Sequence, residues 1–382
     1  MKVFLFLIYF FCGILSATAQ KNGSKNILQF VFTSDAHYGI VRTSFRGQHD
    51  VTGHEVNSAM LLEMNSLPYA IFPRDNGVNA GETAGLVDFI VEGGDIANRM
   101  EIPIQSAAKS WQQFDEDYLH KITLTGHSGQ PAQLMILPGN HDITNAIGHY
   151  KAMEPKTDAT AMANIYNLMI KPKQALTKES YDYSTDKINY SQNIGGIHFM
   201  FITLWPDSAE RIWMKKDLQH IRKKKPVMIF SHDQPECEAK HFSNPNPVLF
   251  NAADKFENLL SEHYKEGGIA TDNGGKTYLE QAGWVSFIKK HPNIKAYFHG
   301  NSNWNQFYEY TGPNNEISLP AFRVDSPMKG KYSSKDETRL SFQVVTIDTR
   351  LRKMTVRECL WNTVPGNPAT PLKWGESKTI SY

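Results

Sequence analysis

The sequence is poor in cysteine, in long apolar runs and in charge gathered by sign. Three cysteines occur in 382 residues. One of them, Cys12, lies in the N-terminal apolar stretch, which leaves Cys237 and Cys359. Two cysteines cannot build a disulfide framework, and neither has the paired spacing of a thiolate metal site. They could pair with each other or stay apart. The formal net charge is +1 and basic runs such as Lys223-Lys224-Lys225 stay short, which excludes the footprint of a nucleic-acid binder. From residue 27 onward there is no low-complexity linker and no internal repeat.

The one long apolar run is at the start. Val3 to Leu15 follows Met1-Lys2 and precedes Ala17-Thr18-Ala19. It falls short of the ~18–20 residues of a membrane span, and the small-x-small triplet reads as a cleavage site. Residues 1–19 are therefore expected to be a signal peptide, with a membrane anchor as the alternative. The bulky Phe11 before Cys12 argues against lipidation. The expected location is periplasmic or secreted, with no transmembrane helix after cleavage.

What is present is the composition of a folded protein, 41% hydrophobic and 21% charged. Apolar runs predict strands at Ile27–Thr33, Gly85–Glu92, Gln133–Leu137, Ile197–Leu204, Pro226–Phe230 and Ile294–Phe298. A late hairpin is expected from Leu340–Asp348 and Met354–Leu360. Helical spacing marks Ile104–Ile122, Ala252–Tyr264 and Tyr278–Lys290. The alternation argues for an α/β fold with covered faces that finishes in antiparallel strands. One domain is expected over 27–361, with insertions at about 38–84 and 143–187 and a tail at 362–382.

The polar residues fall in a pattern. Predicted strands end in Ser34-Asp35-Ala36-His37, Gly93-Gly94-Asp95, Gly139-Asn140-His141-Asp142, Ser231-His232-Asp233 and His299-Gly300-Asn301-Ser302-Asn303. Strand C-termini are where open α/β sheets bind ligands. Asp, Asn and His together are the ligands of divalent ions. Any one of these segments is an ordinary turn. Their occurrence in order, each after a strand, is not.

This constellation resembles the calcineurin-like metallophosphoesterase family, in a secreted bacterial-type member. The family pattern runs Asp-x-His, Gly-Asp, Gly-Asn-His-Asp or -Glu, a later His, and Gly-His-x-His. Asp35-Ala36-His37, Gly94-Asp95, Gly139-Asn140-His141-Asp142 and His232 match the first four in order. The resemblance spans about residues 27 to 360. Asn98 stands where the purple acid phosphatase branch has tyrosine. Gly300-Asn301-Ser302-Asn303 falls where Gly-His-x-His is expected, with both histidines replaced. A register shifted by two would instead make His299 the first histidine and Asn301 the second.

The resemblance implies a four-layer α-β-β-α sandwich of two mixed sheets and a binuclear centre of two divalent ions, from Mn, Fe, Zn or Mg. It implies Asp95 as the bridge, with Asp35, His37 and Asn303 on one ion and Asn140, His232 and Asn301 on the other. His141 would serve the leaving group and Asp142 would orient His141. The asparagines should shift preference toward harder ions such as Mn, Mg or Ca. The implied function is hydrolysis of a small phosphorylated substrate, monoester or diester. The alternative is a non-catalytic metal- or ligand-binding relative. Arg99 is the best candidate for a phosphate clamp, ahead of Arg42, Arg46, His49, His54, His149 and His241. Trp304 and Asn305 could line the pocket or fill core.

Overall fold

The structure is a computed structural model and describes residues 26–98, 105–143, 158–183, 185–236, 278–367 and 370–382. The first part of the chain forms β1 (Ile27–Thr33), a hairpin of β2 (Val41–Phe45) and β3 (Gln48–Thr52), helix α1 (Gly53–Met64) and β4 (Phe89–Glu92). Then come α2 (Ala107–Phe114), β5 (Gln133–Ile136), the single turn α3 (Asn140–Ile143) and α4 (Thr160–Met169). The middle holds β6 (Tyr190–Ile194), β7 (Ile197–Phe201), α5 (Ser208–Leu218), β8 (Val227–Phe230), α6 (Tyr278–Lys290) and β9 (Ile294–His299). The last part is all strand: β10 (Gln306–Tyr310), β11 (Leu319–Arg323), β12 (Ser341–Asp348), β13 (Lys353–Leu360) and β14 (Lys373–Ser381).

Two six-stranded sheets result, ordered β14-β13-β12-β1-β4-β5 and β10-β11-β9-β8-β7-β6. Both are mixed. β1, β4 and β5 run parallel, while β12 to β14 are antiparallel to their neighbours. β7, β8, β9 and β11 run parallel, with β6 and β10 antiparallel at the edges. Helices cover both outer faces, so the molecule is a four-layer α-β-β-α sandwich. That is the architecture the resemblance implied.

Strand periodicity explains the layers. In β1, Leu28, Phe30 and Phe32 face the second sheet, while Val31 packs toward α1, α2 and α4. A strand buried on both faces reads as a continuous apolar run, which is why the central strands are visible in the sequence. The inter-sheet core is rich in phenylalanine. Phe30 stacks on Phe89 at 4.6 Å and Phe230 on Phe298 at 4.8 Å, and each such ring contributes roughly 2–3 kcal/mol by burial. On the far face, Met200, Val227, Ile229 and Tyr297 pack against Met214 of α5 and Trp284 of α6.

Several expectations change. The first insertion carries more regular structure than its weak periodicity suggested. Thr52 and Glu55 form a reciprocal cap, with Glu55 N donating to Thr52 Oγ1 at 3.3 Å and Thr52 N to Glu55 Oε2 at 3.0 Å. The same insertion is tied to β13. Buried Arg357 donates to both oxygens of Asp75, at 2.8 and 2.9 Å, and to the Val78 carbonyl at 2.9 Å. The expected helix at 104–122 is α2 followed by a π-helical turn at Asp115–Leu119. The segment set apart as a tail includes β14, paired with β13. The expected helix at 252–264 lies outside the described residues, as do the expected signal peptide and Cys237. Cys359 is a buried free thiol. No helix among the described residues is long and apolar enough to cross a membrane.

Candidate metal centre

The ends of β1, β4, β5, β8 and β9 converge from both sheets. Parallel strands place their C-termini on one edge, so the loop after each delivers side chains to the same place. The turns are sharp. Asp35, His37, Asp95, Asn301 and Asn303 all have positive φ, between 47° and 63°. Asp and Asn accept this region more readily than most residues, and His37 less so. Five such residues at one edge store strain that the surrounding hydrogen bonds must hold. Two glycines allow the loops to close. A Cβ on Gly139 would lie 2.3 Å from Asp95 Oδ1, and one on Gly300 would lie 2.0 Å from Ser34 Oγ.

Two triads of ligand atoms form there, His37–Asp95–His141 and Asp35–Asp95–His232, each with its atoms within 4.8 Å of one another. They share Asp95. Asp95 Oδ2 lies 3.3 Å from His232 Nε2, 3.7 Å from His37 Nε2 and 3.9 Å from His141 Nε2. Asp35 Oδ1 is 3.6 Å from His37 Nε2. Asn140 Oδ1 is 3.2 Å from His232 Nε2. Asp35, His37, Asp95 and His232 are buried. The arrangement is consistent with a binuclear metal site.

Orphaned atoms test the fit. Asp35 Oδ1, His37 Nε2 and Asn303 Oδ1 are buried with no hydrogen-bond partner. Such groups are costly unless something else satisfies them. They belong to the three residues expected on one ion, and an ion there would satisfy all three. His232 fits as well. Its Nδ1 donates to the Gly93 carbonyl at 2.8 Å, which leaves Nε2 as the ligating nitrogen. His37 Nδ1 meets the Asn98 amide at 2.8 Å, while Asn98 Oδ1 is buried without a partner. Turning that amide over lets Oδ1 accept from Nδ1–H and leaves His37 Nε2 bare for a metal.

The charges follow the same logic. Burial opposes an imidazolium at His232, but the carboxylates of Asp95, Asp35 and Asp233 outweigh it and hold its pKa well above the ordinary value. A proton there stands where a cation would. Burial likewise opposes the Asp95 carboxylate, yet the His232 imidazolium holds its pKa well below the usual range. Burial, and then the Lys329 ammonium, lower His37, and they hold His141 well below 6.5, so both are neutral and able to ligate or accept. Glu92, at the end of β4, is also buried. Its pKa is raised well above normal by burial, and its Oε2 accepts from Gly94 N at 2.8 Å.

Asp142 was expected to orient His141. It does not bond the ring. Its Oδ2 accepts from Asp95 N at 2.8 Å, Gly139 N at 2.9 Å and Ile96 N at 3.3 Å. Its Oδ1 accepts from Ile96 N at 3.1 Å and Ala97 N at 3.3 Å. His141 Nδ1 is left buried without a partner. A carboxylate in the first turn of α3 points back at the backbone of the loop after β4, so Asp142 ties two metal loops together. Burial, and then Asp95, raise its pKa to about 7.

His299, the first histidine of the shifted register, has both ring nitrogens engaged, with Nε2 2.9 Å from Tyr308 Oη and Nδ1 3.1 Å from the Gly300 carbonyl. Asn301 reaches Asp35 through its backbone, and Asn303 reaches Asn301. Asn301 N donates to Asp35 Oδ2 at 2.9 Å, and its Nδ2 faces Gln234 Oε1 at 3.4 Å. Asn303 Nδ2 donates to the Asn301 carbonyl at 2.7 Å.

The substrate-clamp candidates fare unevenly. Arg99, His149 and His241 lie outside the described residues. Arg42 is buried and donates to the carbonyls of Pro327 and Ser333. Arg46 bonds Asn362 at 2.8 Å. Both are structural staples. His54 sits 3.5 Å from Asp117, and His49 is exposed. Trp304 and Asn305 line a cavity of about 240 Å³ together with Asp325. Arg323 lies 3.9 Å and Lys331 4.2 Å from the Trp304 ring. Lys329, absent from the sequence reading, reaches within 3.5 Å of His141 Nε2. It follows β11, a strand the apolar pattern did not mark.

No family model matches the chain, and none of the curated proteins does. Solved structures do. The chain is 11% identical to the calcineurin-like phosphoesterase YfkN of Bacillus subtilis, covering 93% of this chain and 90% of that one at a TM-score of 0.30. It is 10% identical to phosphopantetheinyl hydrolase of Mycobacterium tuberculosis, covering 79% and 91% at 0.34. A predicted phosphoesterase of Streptococcus pneumoniae is 9% identical, covering 93% and 98% at 0.30. Likeness at these scores is too loose to bear on function. The side chains of this chain carry that weight.

Proposed function

We propose that this centre hydrolyses a phosphoester with the help of two divalent ions. The observation that carries the reading is the sharing of Asp95 by both triads. Only a carboxylate offers an anionic oxygen to each of two ions. When bound, the ions lower the pKa of a water and neutralise phosphoryl oxygens. Asp35, His37 and Asn303 offer ligand atoms to one ion, and Asn140, His232 and Asn301 to the other. The oxygen-rich set favours Mn, Mg or Fe over softer ions.

His141 is assigned to the leaving-group side. Held neutral by burial and by Lys329, it serves as a hydrogen-bond donor to the departing oxygen rather than as a stored acid. Asp142 fixes the loops that present Asp95 and His141. The substrate is a small phosphorylated molecule, and residues 1–19, read as a leader, would take the reaction outside the cytoplasm. A second reading, ligand binding without turnover, draws on one observation: the side chain of Asn301 is engaged by Gln234.

The test is metal add-back. Protein stripped by chelator should be inactive, and Mn should restore hydrolysis of an aryl phosphate monoester or diester. Folded protein that binds metal yet hydrolyses neither ester would favour the second reading.

A further inference from the structure

The strand ends opposite the metal centre carry charge of another kind. The loop 219–226 leads into β8, the segment 291–293 into β9 and the turn 195–196 into β7. All three therefore lie at the N-terminal edge of the parallel strands, one strand length from the motif loops. α5 and α6 end there too, with Lys215 and Lys216 in the last turn of one and Lys289 and Lys290 in the last turn of the other. Lys223 and Lys224 stand in the loop before β8. These lysines are exposed, and among the described residues none of them is in an ion pair. Their closeness shows at His291, whose pKa is lowered by burial and then by the ammonium groups of Lys215 and Lys290.

The loop is fixed in place. Lys225 Nζ donates to Asn193 Oδ1, the Lys225 carbonyl accepts from Asn293 Nδ2 at 3.0 Å, and Val227 N donates to the Asn293 carbonyl at 2.8 Å. A cavity of about 580 Å³ lies between this loop and the β6–β7 turn, with Asn193, His220, Arg222 and Lys224 in its wall. Asp217 of α5 is already taken, accepting from His198 Nε2 at 2.5 Å and Ser191 Oγ at 2.8 Å.

The first sheet extends the same edge. Asp348 of β12 pairs opposite Ile27 of β1, so the turn 349–352 comes to this side. A Cβ on Gly195 would lie 3.3 Å from Leu28 and 3.5 Å from Thr349, so this turn adjoins the β6–β7 turn. It carries exposed Arg350 and Arg352, with Leu351 between them 60% exposed. Asp348 accepts from Arg350 N at 2.9 Å and Leu351 N at 2.7 Å, and Arg352 Nε donates to the Tyr382 carbonyl at 2.7 Å. The cations come from stretches far apart in the chain, so a sequence of net charge +1 shows no basic block.

We propose that this edge docks the protein on a membrane surface rich in anionic phospholipid. The lysines answer the lipid phosphates, an attraction that adds up over each cation brought near the surface. Leu351 enters the headgroup boundary between its two arginines. A soluble polyanion would use the lysines but offers nothing to an exposed leucine. In this pose the motif loops face solution, because β9 runs six residues from one edge to the other, about 20 Å. The surface is separate from the metal centre and does not depend on its chemistry.

The test is co-sedimentation with vesicles, one set of equal parts phosphatidylglycerol and phosphatidylcholine, the other of phosphatidylcholine alone. Wild type is compared with a quadruple variant, Lys223→Gln with Lys224→Gln, Lys289→Gln and Lys290→Gln, and with Leu351→Ser, each recovered in the same way. Wild type should bind the anionic set and leave the neutral one. Salt at about 1 M should release it where about 0.1 M does not, since the reach of the charges shrinks from about 10 Å to about 3 Å. The quadruple variant should bind about a hundred-fold more weakly and Leu351→Ser about fivefold more weakly. Neutral vesicles bound as well as anionic ones, binding that resists salt, or a quadruple variant that binds as wild type would overturn the proposal. Leu351→Ser that binds as wild type would overturn the part given to the leucine. Wild type that ignores both vesicle sets and binds soluble polyphosphate would make the edge a polyanion site instead. The lipid and salt comparisons need no variant, so they decide the matter even where a substitution disturbs folding.

Discussion

The two sheets bring different chemistry to the same edge. The first, through β1, β4 and β5, supplies Asp35, His37, Asp95, Asn140 and His141: two carboxylates, an amide and two imidazoles. The second, through β8, β9 and the turn after β11, supplies His232, Asn301, Asn303 and Lys329: one imidazole, two amides and an ammonium. On the proposed reading the anionic charge for holding metal comes from the first sheet, and the second sheet adds one imidazole and otherwise neutral or positive groups. In the first sheet Asp142 alone ties four backbone N–H groups of the loops after β4 and β5.

Substitutions break that comparison in graded steps. The largest effect is expected from the shared residue of the first sheet. Asp95→Ala should lower turnover by about a thousand-fold and cut the ions counted per chain, because both triads lose a ligand. Full activity in this variant, measured on an aryl phosphate, would contradict a shared bridge. His141→Ala should slow poor leaving groups by about a hundred-fold and good ones far less, with metal content unchanged. An equal loss across leaving groups would remove His141 from that role.

The second sheet should respond in the opposite sense. Asn301→His combined with Asn303→His should tighten Zn about tenfold, since imidazole suits that ion better than an amide oxygen. Unaltered Zn affinity by competition with a chelating dye would mean that these side chains do not reach the metals.

The smallest effect lies beside the centre. Asp325 is buried with neither oxygen in a hydrogen bond of ordinary geometry, and burial raises its pKa to about 8 against weaker opposing pulls led by Ser333. A carboxyl whose folded pKa is raised contributes fully below its unfolded value, near 4, and loses that contribution as pH rises through 8. Asp325→Asn should therefore gain at least about 1 kcal/mol over wild type at pH 9 and little at pH 5. Parallel stability profiles from denaturant melts would argue against a buried charge there.

The legible part of the molecule was its buried middle. β1, β8 and β9 are apolar on both faces, so runs such as Ile294–Phe298 stand out, and the motif residues follow directly. The edge strands were hidden by their polarity. β10 reads Gln-Phe-Tyr-Glu-Tyr, and β14 is half exposed along most of its length. Helix α1 was missed although Thr52-x-x-Glu55 announces its cap, because its apolar face is weakly periodic. Asp142 was misread because adjacency to His141 says nothing of where a carboxylate points. Lys329 could not be read at all, since the contact that defines it joins residues 188 apart in the chain.

The central claim is a metal pair bridged by Asp95, and anomalous diffraction from Mn-loaded crystals tests it most directly. The account predicts two peaks, each about 2.0–2.5 Å from an Asp95 carboxylate oxygen, one beside Asp35 and His37 and the other beside Asn140 and His232. A crystal with no peak in reach of Asp95, or with a single ion that Asp95 does not touch, would contradict it.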